Sequence, residues 1–374
     1  TNSDRESKTK TARTIEFLIC AVGLYSSFLT WGYMQEKITG SPYRREDGLE
    51  EKWQFSYVLN LCMSVFALAL ASISFFIEGV PIDATSSYPP STVYFKPALS
   101  NTIASPIGYY ALRYINFPML LLAKSCKLVP VMFMGWLLNG EKYSSTQLIA
   151  VACISLGVAL FTIKPKDLIS FGLDSVAANF VPLEKQALPS SDEDSLSHRL
   201  IGLGLVGTNL MFDGYTNSAQ KGINDKFKTI KYGAPSPFYA MIQINKWSVV
   251  IMAMWLAFDL FLATSFPDSW RTAEITRAAT FVTQFPQIWW DLFLFSGTSA
   301  VGQLFIFYII RSFSPVALVT LTVTRKFFSI LFSIVRFGHE VYPWQYAGMV
   351  ILFSGLLMND TLSTKKTELK PKTA

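Results

Sequence analysis

Charged residues in this chain gather into short stretches, and apolar runs of roughly 20 residues lie between them. A run of that length crosses a bilayer core of about 30 Å as a helix. Ten such runs predict transmembrane helices over residues 14–33, 55–77, 98–115, 118–138, 147–163, 200–220, 237–263, 288–311, 315–337 and 344–358. The third is polar for a lipid-facing helix, with Ser100, Asn101, Thr102 and Ser105, and such residues face a bundle or a watery cavity. No stretch reads as a separate soluble domain, so the expected fold is an all-α membrane protein.

An even number of spans puts both ends of the chain on one side. The first residues carry Arg5, Lys8, Lys10 and Arg13, and the last carry Lys365, Lys366, Lys370 and Lys372. The positive-inside rule places both tails in the cytosol. The loop after the sixth span (Lys221, Lys226, Lys228, Lys231) then also falls there, and the loop 164–199, with Asp192, Glu193 and Asp194, falls on the luminal side. Residues 1–13 lack a short apolar core with a cleavage site, so the first span is expected to act as its own insertion signal.

Composition narrows the class further. Of 374 residues, 51% are hydrophobic and 16% charged, against about a quarter charged in soluble domains. The net charge of +6 is spread over tails and loops without an aromatic-interleaved stripe, which argues against a nucleic-acid partner. Cys20, Cys62, Cys126 and Cys153 all fall in apolar runs, as thiols buried in helices rather than a disulfide framework. His198 and His339 lie at loop or span ends, and no metal-ligand spacing, nucleophile elbow or Walker-type loop occurs. No enzyme activity, metal or cofactor is expected.

Two segments resemble each other, one beginning AKSCK and the other TVTRK. In each, a lysine (Lys127, Lys326) is followed fourteen residues later by a glutamate (Glu141, Glu340), then by a tyrosine (Tyr143, Tyr342) and a glutamine (Gln147, Gln345). A glycine lies ten residues beyond the glutamine (Gly157, Gly355). These are spans four and five of one half and nine and ten of the other. Five spans per half is odd, so the second copy is inverted, as in transporters whose substrate site lies at the midplane between repeats. The organisation predicted is a 1–13 tail, a first five-helix repeat over 14–163, the 164–199 loop, a second repeat over 200–360 and a 361–374 tail.

The axis residues are basic. Lys127 is about ten residues, or roughly 15 Å, into its span, near mid-bilayer. Lys124 lies one turn earlier, and Arg325 and Lys326 are equally deep in the ninth span. Each such charge costs about 3 kcal/mol to bury at a helix centre. Asp213 is the main acid at that depth, with Asp259 and Asp291 nearer span ends, so the four bases predict an anion site; pairing with carboxylates is the structural alternative. A phosphorylated anion suits lysine charge and arginine's fork. Ser125, Thr322, Thr324, Gln303, Tyr308 and Asn217 are candidates for reading a sugar or base. Gln35 and Glu36 either orient substrate, gate it, or mark a span boundary. Asp213 either neutralises a site base or gate, or makes a helix contact. Lys246, deep in the seventh span, reads as a boundary or snorkelling residue.

LTWGYMQEKI, LLAKSCKLVPVM, MFDGYTNSAQ, GQLFIFYIIRSFSPV and LTVTRKFFSILFS resemble the UDP-galactose transporter homologue subfamily of nucleotide-sugar transporters, in solute carrier family 35, subfamily B. The likeness runs from about residue 14 to 359 and is of fungal type, with AKSCK and TVTRK its most specific parts. The resemblance implies the ten-helix drug/metabolite-transporter fold of two inverted five-helix repeats, alternating access and residence in the endoplasmic reticulum. It assigns phosphate binding to Lys124, Lys127, Arg325 and Lys326, with Glu36 a candidate partner. It implies exchange of a nucleotide sugar, UDP-galactose or UDP-glucose, for the nucleoside monophosphate UMP in fungal members, and ATP/ADP exchange in animal relatives; a non-transporting scaffold is the third reading. The ending Lys370-Pro371-Lys372-Thr373-Ala374 resembles a dilysine retrieval signal read by coat proteins in the cytosol. Lys246 and the long 164–198 insert depart from the pattern.

Overall fold

A computed structural model describes residues 2–79, 88–130, 132, 143–164, 167, 196–227, 236–266, 272–312 and 315–368. Lys228 and Lys231, most of the 164–199 loop, residues 133–138 of the fourth predicted span, Glu141, Lys370 and Lys372 lie outside them. The chain is mostly helical: α1 (Asn2–Gly40), α2 (Ser56–Glu78), α3 (Phe95–Ala111), α4 (Phe117–Ser125), α5 (Ser145–Thr162) and α6 (Leu196–Lys226) come first. They are followed by α7 (Pro237–Ser265), α8 (Glu274–Gln284), α9 (Ile288–Ser312), α10 (Pro315–Phe337) and α11 (Pro343–Glu368). Among the described residues, Thr14–Gly40, Ser56–Glu78, Ser145–Thr162 and Pro237–Ser265 are long and apolar enough to cross a membrane.

Three departures from the sequence expectation have local causes. First, the helix expected to end near residue 33 continues to Gly40, so Gln35 and Glu36 are interior to α1 rather than beyond it. Second, the fourth predicted span is not continuous. Asn116 caps α4 by accepting the Met119 N–H at 3.1 Å, but the helix stops at Ser125, and Cys126 and Lys127 form a turn. Pro130 accounts for the stop. It has no N–H to give the Cys126 carbonyl four residues back, and its ring crowds that oxygen. The Val129 N–H reaches the Cys126 oxygen instead, at 2.9 Å, in the tighter three-residue pattern. Third, the α1–α2 and α7–α9 connections are built elements. Strands β1 (Pro42–Arg44) and β2 (Glu50–Lys52) pair antiparallel with Tyr43 opposite Glu51, and α8 fills the second connection.

The chain forms two compact units. The first comprises residues 1–98 and 222–329. In it α1 packs along α9 through a reciprocal fit: the Phe305 ring covers Gly23, and the Phe28 ring covers Gly302. Any side chain at either glycine would overlap the facing ring. α2 packs on α7 through Ala67, Ala71, Met241 and Ile242. At one end of this unit Tyr43, Trp53, Phe55, Phe281 and Phe285 form an aromatic cluster, with Trp53 and Phe281 centroids 5.4 Å apart. Two carboxylates tie the helices to it. Asp259 accepts the Glu274 N–H at 2.7 Å, and Glu274 accepts the Tyr57 and Val58 N–H groups at 2.9 and 3.3 Å. Neither α2 nor α8 has a cap from its own N-cap side chain, so these acids supply one from another helix.

The second unit comprises residues 99–221 and 330–374. α5, opened by a Ser144–Gln147 capping box, crosses α11 at backbone contact distance. A Cβ built on Gly157 would stand 2.5 Å from the Gly348 carbonyl oxygen, and one on Gly348 would stand 2.8 Å from that of Gly157. The Gln345 amide donates to the Phe161 carbonyl at 2.7 Å, and Trp344 to that of Ile163 at 3.0 Å. α3 joins α6: Ser100 donates to the Phe212 carbonyl at 2.9 Å, and Asn209 to that of Ala104 at 2.7 Å.

Candidate functional site

In the second unit, Lys124 ends α4 and Lys127 follows the break. Both are half-buried, and both feel the charge of half-buried Asp213 on α6. No hydrogen bond or ion pair joins either ammonium to another described residue. Lys124 Nζ is 3.3 Å from where a Cβ would stand on Gly108 of α3, and the Asn209 amide carbon is 3.4 Å from the same point. Gly108 therefore opens the space that the ammonium and the amide share. Ser125 is buried and its hydroxyl donates back to the Leu121 carbonyl at 2.9 Å. Asn217 is helical, two turns beyond Asn209.

The other carboxylates weighed against the bases are engaged elsewhere, both in the first unit. Asp291 is paired with Lys37, at 2.7 Å, and accepts the Tyr43 hydroxyl at 2.8 Å. Asp259 caps α8, as described above. Among the described residues, two lysines thus stand with one neighbouring acid. That imbalance suits an anionic ligand better than a closed ion-pair network.

In the first unit, Arg325 and Lys326 lie mid-way along α10, both half-buried. The Arg325 guanidinium carbon is 4.4 Å from the centre of the Phe28 ring, and flat contact of this kind suits arginine. Tyr25 and Thr324 hydrogen bond through their hydroxyls, and Tyr25 packs on Phe328 with centroids 6.0 Å apart. Phe28, Trp31 and Gln35 follow at helical spacing along α1. Arg325 Nε, Trp31 Nε1 and Gln35 Oε1 are buried with no hydrogen-bond partner among the described residues. Gln35 is 2% and Glu36 5% exposed, so both side chains are buried within the first unit. Thr322 and Gln303 are half-buried.

Two residues stand apart from these clusters. Tyr308 is 44% exposed, bonds Glu16 near the opposite end of α1 from Gln35, and lines an apolar cavity of about 690 Å³ with Ile15, Ile19 and Phe305. Lys246 is exposed on the face of α7 that carries Val250 and Met254. An exposed lysine on an apolar stripe is the arrangement snorkelling requires. Phe28, Trp31, Gly108 and Asn209 were not singled out by the sequence. In an apolar run an aromatic or a glycine carries no distinguishing signal, and Asn209 showed itself only by its spacing of one turn from Asp213.

A profile of the UAA transporter family matches residues 16–363. UDP-galactose transporter homolog 1 of Yarrowia lipolytica is 32% identical over 368 residues, covering 96% of this chain and 90% of that protein. Solute carrier family 35 member B1 of Xenopus tropicalis is 31% identical over 346 residues, covering 92% and 93%. UDP-galactose transporter homolog 1 of Saccharomyces cerevisiae is 28% identical over 376 residues, covering 96% and 99%. Relatives named as transporters accord with a chain that is not an enzyme. Over nearly its whole length, this multi-pass membrane protein belongs to the UAA transporter family.

Proposed function

We propose that the chain is a nucleotide-sugar antiporter of the endoplasmic reticulum. It imports UDP-galactose or UDP-glucose into the lumen and returns UMP by alternating access. The observation that carries this reading is the pair of lysines at the α4 break, half-buried beside a single acid. Lys124, Lys127, Arg325 and Lys326 supply charge to the phosphates. Ammonium and guanidinium groups both suit phosphate oxygens. The UDP-galactose transporter names of the fungal relatives support the substrate class. Glu36 and Asp213 balance the bases when the anion leaves, and Gln35, Ser125, Asn217, Gln303, Thr322 and Thr324 contact the sugar or base.

Ten spans in two inverted repeats, 14–163 and 200–360, give this site its frame. The helix pairings support that plan. Numbered as spans, α2 with α7 pairs two with seven, and α5 with α11 pairs five with ten. Each of these joins a helix to its own counterpart in the other repeat. α1 with α9 pairs one with eight, and α3 with α6 pairs three with six; adding five to either pair generates the other. These four pairings map onto themselves as a pseudo-two-fold would produce; the packing of α2 on α9 does not share in that relation. Both tails then face the cytosol, the 164–199 loop faces the lumen, and Lys370 and Lys372 serve as the retrieval signal.

The test is uptake into liposomes holding the purified chain. UMP inside should drive entry of labelled UDP-glucose and UDP-galactose, with ADP inside and ATP outside inert. ATP entry driven by ADP would keep the basic site and overturn the substrate. No exchange by folded protein would favour the non-transporting scaffold.

A further inference from the structure

Asn209 lies on α6, one turn before Asp213, and is 2% exposed. Its amide nitrogen donates to the Ala104 carbonyl of α3 at 2.7 Å. That bond fixes which way the amide points, because only its nitrogen can donate to a carbonyl. The side-chain oxygen is then a fixed acceptor, and it is buried without a hydrogen-bond partner among the described residues. An orphaned buried acceptor of this kind is destabilising unless something meets it. A cation borders the same amide: the Lys124 ammonium shares with Asn209 the space left by Gly108. Lys124 does not take the acceptor. The amide that carries this bare acceptor and the Lys124 ammonium thus both border the space over Gly108, 3.4 and 3.3 Å from where its Cβ would stand.

We propose that Asn209 is a ligand-binding residue, whose Oδ1 accepts a hydrogen bond from a ligand hydroxyl while Lys124 holds the adjoining phosphate. The inference rests on the phosphate-binding reading of Lys124. Its ligand class is narrower than an anion: a phosphate ester with a hydroxyl close to the phosphorus. Ribose hydroxyls and the sugar hydroxyl beside the glycosidic carbon meet that description. Base N–H donors lie too far from the phosphates. Gly108 is part of the same device, since a side chain there would crowd both the Lys124 ammonium and the Asn209 amide.

The experiment is a cycle that removes the acceptor from the protein and the donor from the ligand. The full chain in detergent is titrated with UDP, 2′-deoxy-UDP, 3′-deoxy-UDP, UDP-glucose and UDP-2-deoxyglucose. In the wild type, deleting one of the three hydroxyls should weaken binding about tenfold, the usual effect of leaving a buried polar group unmet. In Asn209→Ala the same deletion should cost under about twofold. A merely structural role for Asn209 would weaken all five ligands together and leave that penalty intact. Penalties equal in both proteins for every analogue would overturn the proposal. Asn209→Asp keeps an acceptor but sets a charge beside Lys124. It should weaken every ligand yet retain the hydroxyl penalty, and it decides the matter if Asn209→Ala does not fold; loss of the penalty there would overturn the proposal. If Lys124→Ala abolishes UDP binding while the penalties stay equal, Asn209 is wrong and the phosphate site stands. No binding of any ligand to folded wild type overturns both.

Discussion

Four basic side chains carry the proposed chemistry, and their surroundings assign them different tasks. Lys124 and Lys127 are point charges with one acid nearby, so removing either should remove phosphate binding rather than fold. Lys127→Ala is expected to lower UDP-glucose uptake at least 100-fold, by the about 3 kcal/mol a buried charge-assisted contact is worth. Its thermal unfolding should be unchanged or raised, since an uncompensated buried charge has gone. Wild-type uptake by this variant would contradict the assignment. Arg325 differs because its guanidinium lies against Phe28. Arg325→Lys keeps the charge but loses the planar fork, and UDP affinity measured by titration should fall about tenfold. Glu274 is a pH-sensitive residue remote from the bases. Burial raises its carboxyl above the ordinary 4.5, ahead of the opposing Val58 and Tyr57 N–H bonds and the Arg277 charge. The folded value therefore exceeds the unfolded one, and folding favours the neutral acid. Its contribution to stability is greatest below about pH 4.5 and is lost as pH rises through the raised folded value. The melting temperature of the wild type relative to Glu274→Gln should accordingly rise on acidification from about pH 7.5 to about pH 4.5; a difference that stays flat with pH would refute the burial argument.

At the scale of elements, the break in α4 sets the lysines where they are. Pro130→Ala restores the missing N–H and removes the ring clash, whose combined effect in a helix is about 3 kcal/mol. The variant should melt no lower than the wild type yet transport more slowly, because continuing α4 through Cys126 rotates Lys127 out of its turn. Faster or equal uptake would show the break to be incidental. The α5–α11 crossing makes the opposite kind of prediction. Gly157→Ala sets a methyl 2.5 Å from the Gly348 oxygen, so thermal unfolding should register a loss of roughly 1–3 kcal/mol. The long helices were legible in the sequence, because an apolar run between charged stretches leaves a membrane helix little choice. The break was legible in principle in Pro130, but its flanks are apolar and periodicity runs through it undisturbed. The β1–β2 hairpin and the Glu274 cap were not legible. The cap depends on residues more than 200 apart meeting, as Tyr57 and Glu274 do, and no local pattern carries that information; the hairpin is local, with Tyr43 opposite Glu51, but its strands are only three residues long.

For the whole molecule, charge and packing support the same reading from different directions. The AKSCK and TVTRK segments place bases at matching positions of the two proposed repeats, and the α1–α9 and α3–α6 pairings correspond under the shift of five spans that those repeats would impose. The two copies are not equivalent in detail. Pro130 interrupts α4, whereas α10 carries Ser329 at the corresponding place and runs unbroken through Arg325 and Lys326. The fixed helix accordingly presents a guanidinium against an aromatic ring, and the broken one presents lysines at a turn. The most direct measurement is UMP-driven counterflow of labelled UDP-glucose into liposomes, comparing the wild type with Lys127→Ala and Lys326→Ala at equal reconstituted amounts. Rapid accumulation by the wild type alone is the predicted result. Accumulation by all three at one rate would contradict the claim that bases of both repeats hold the phosphates.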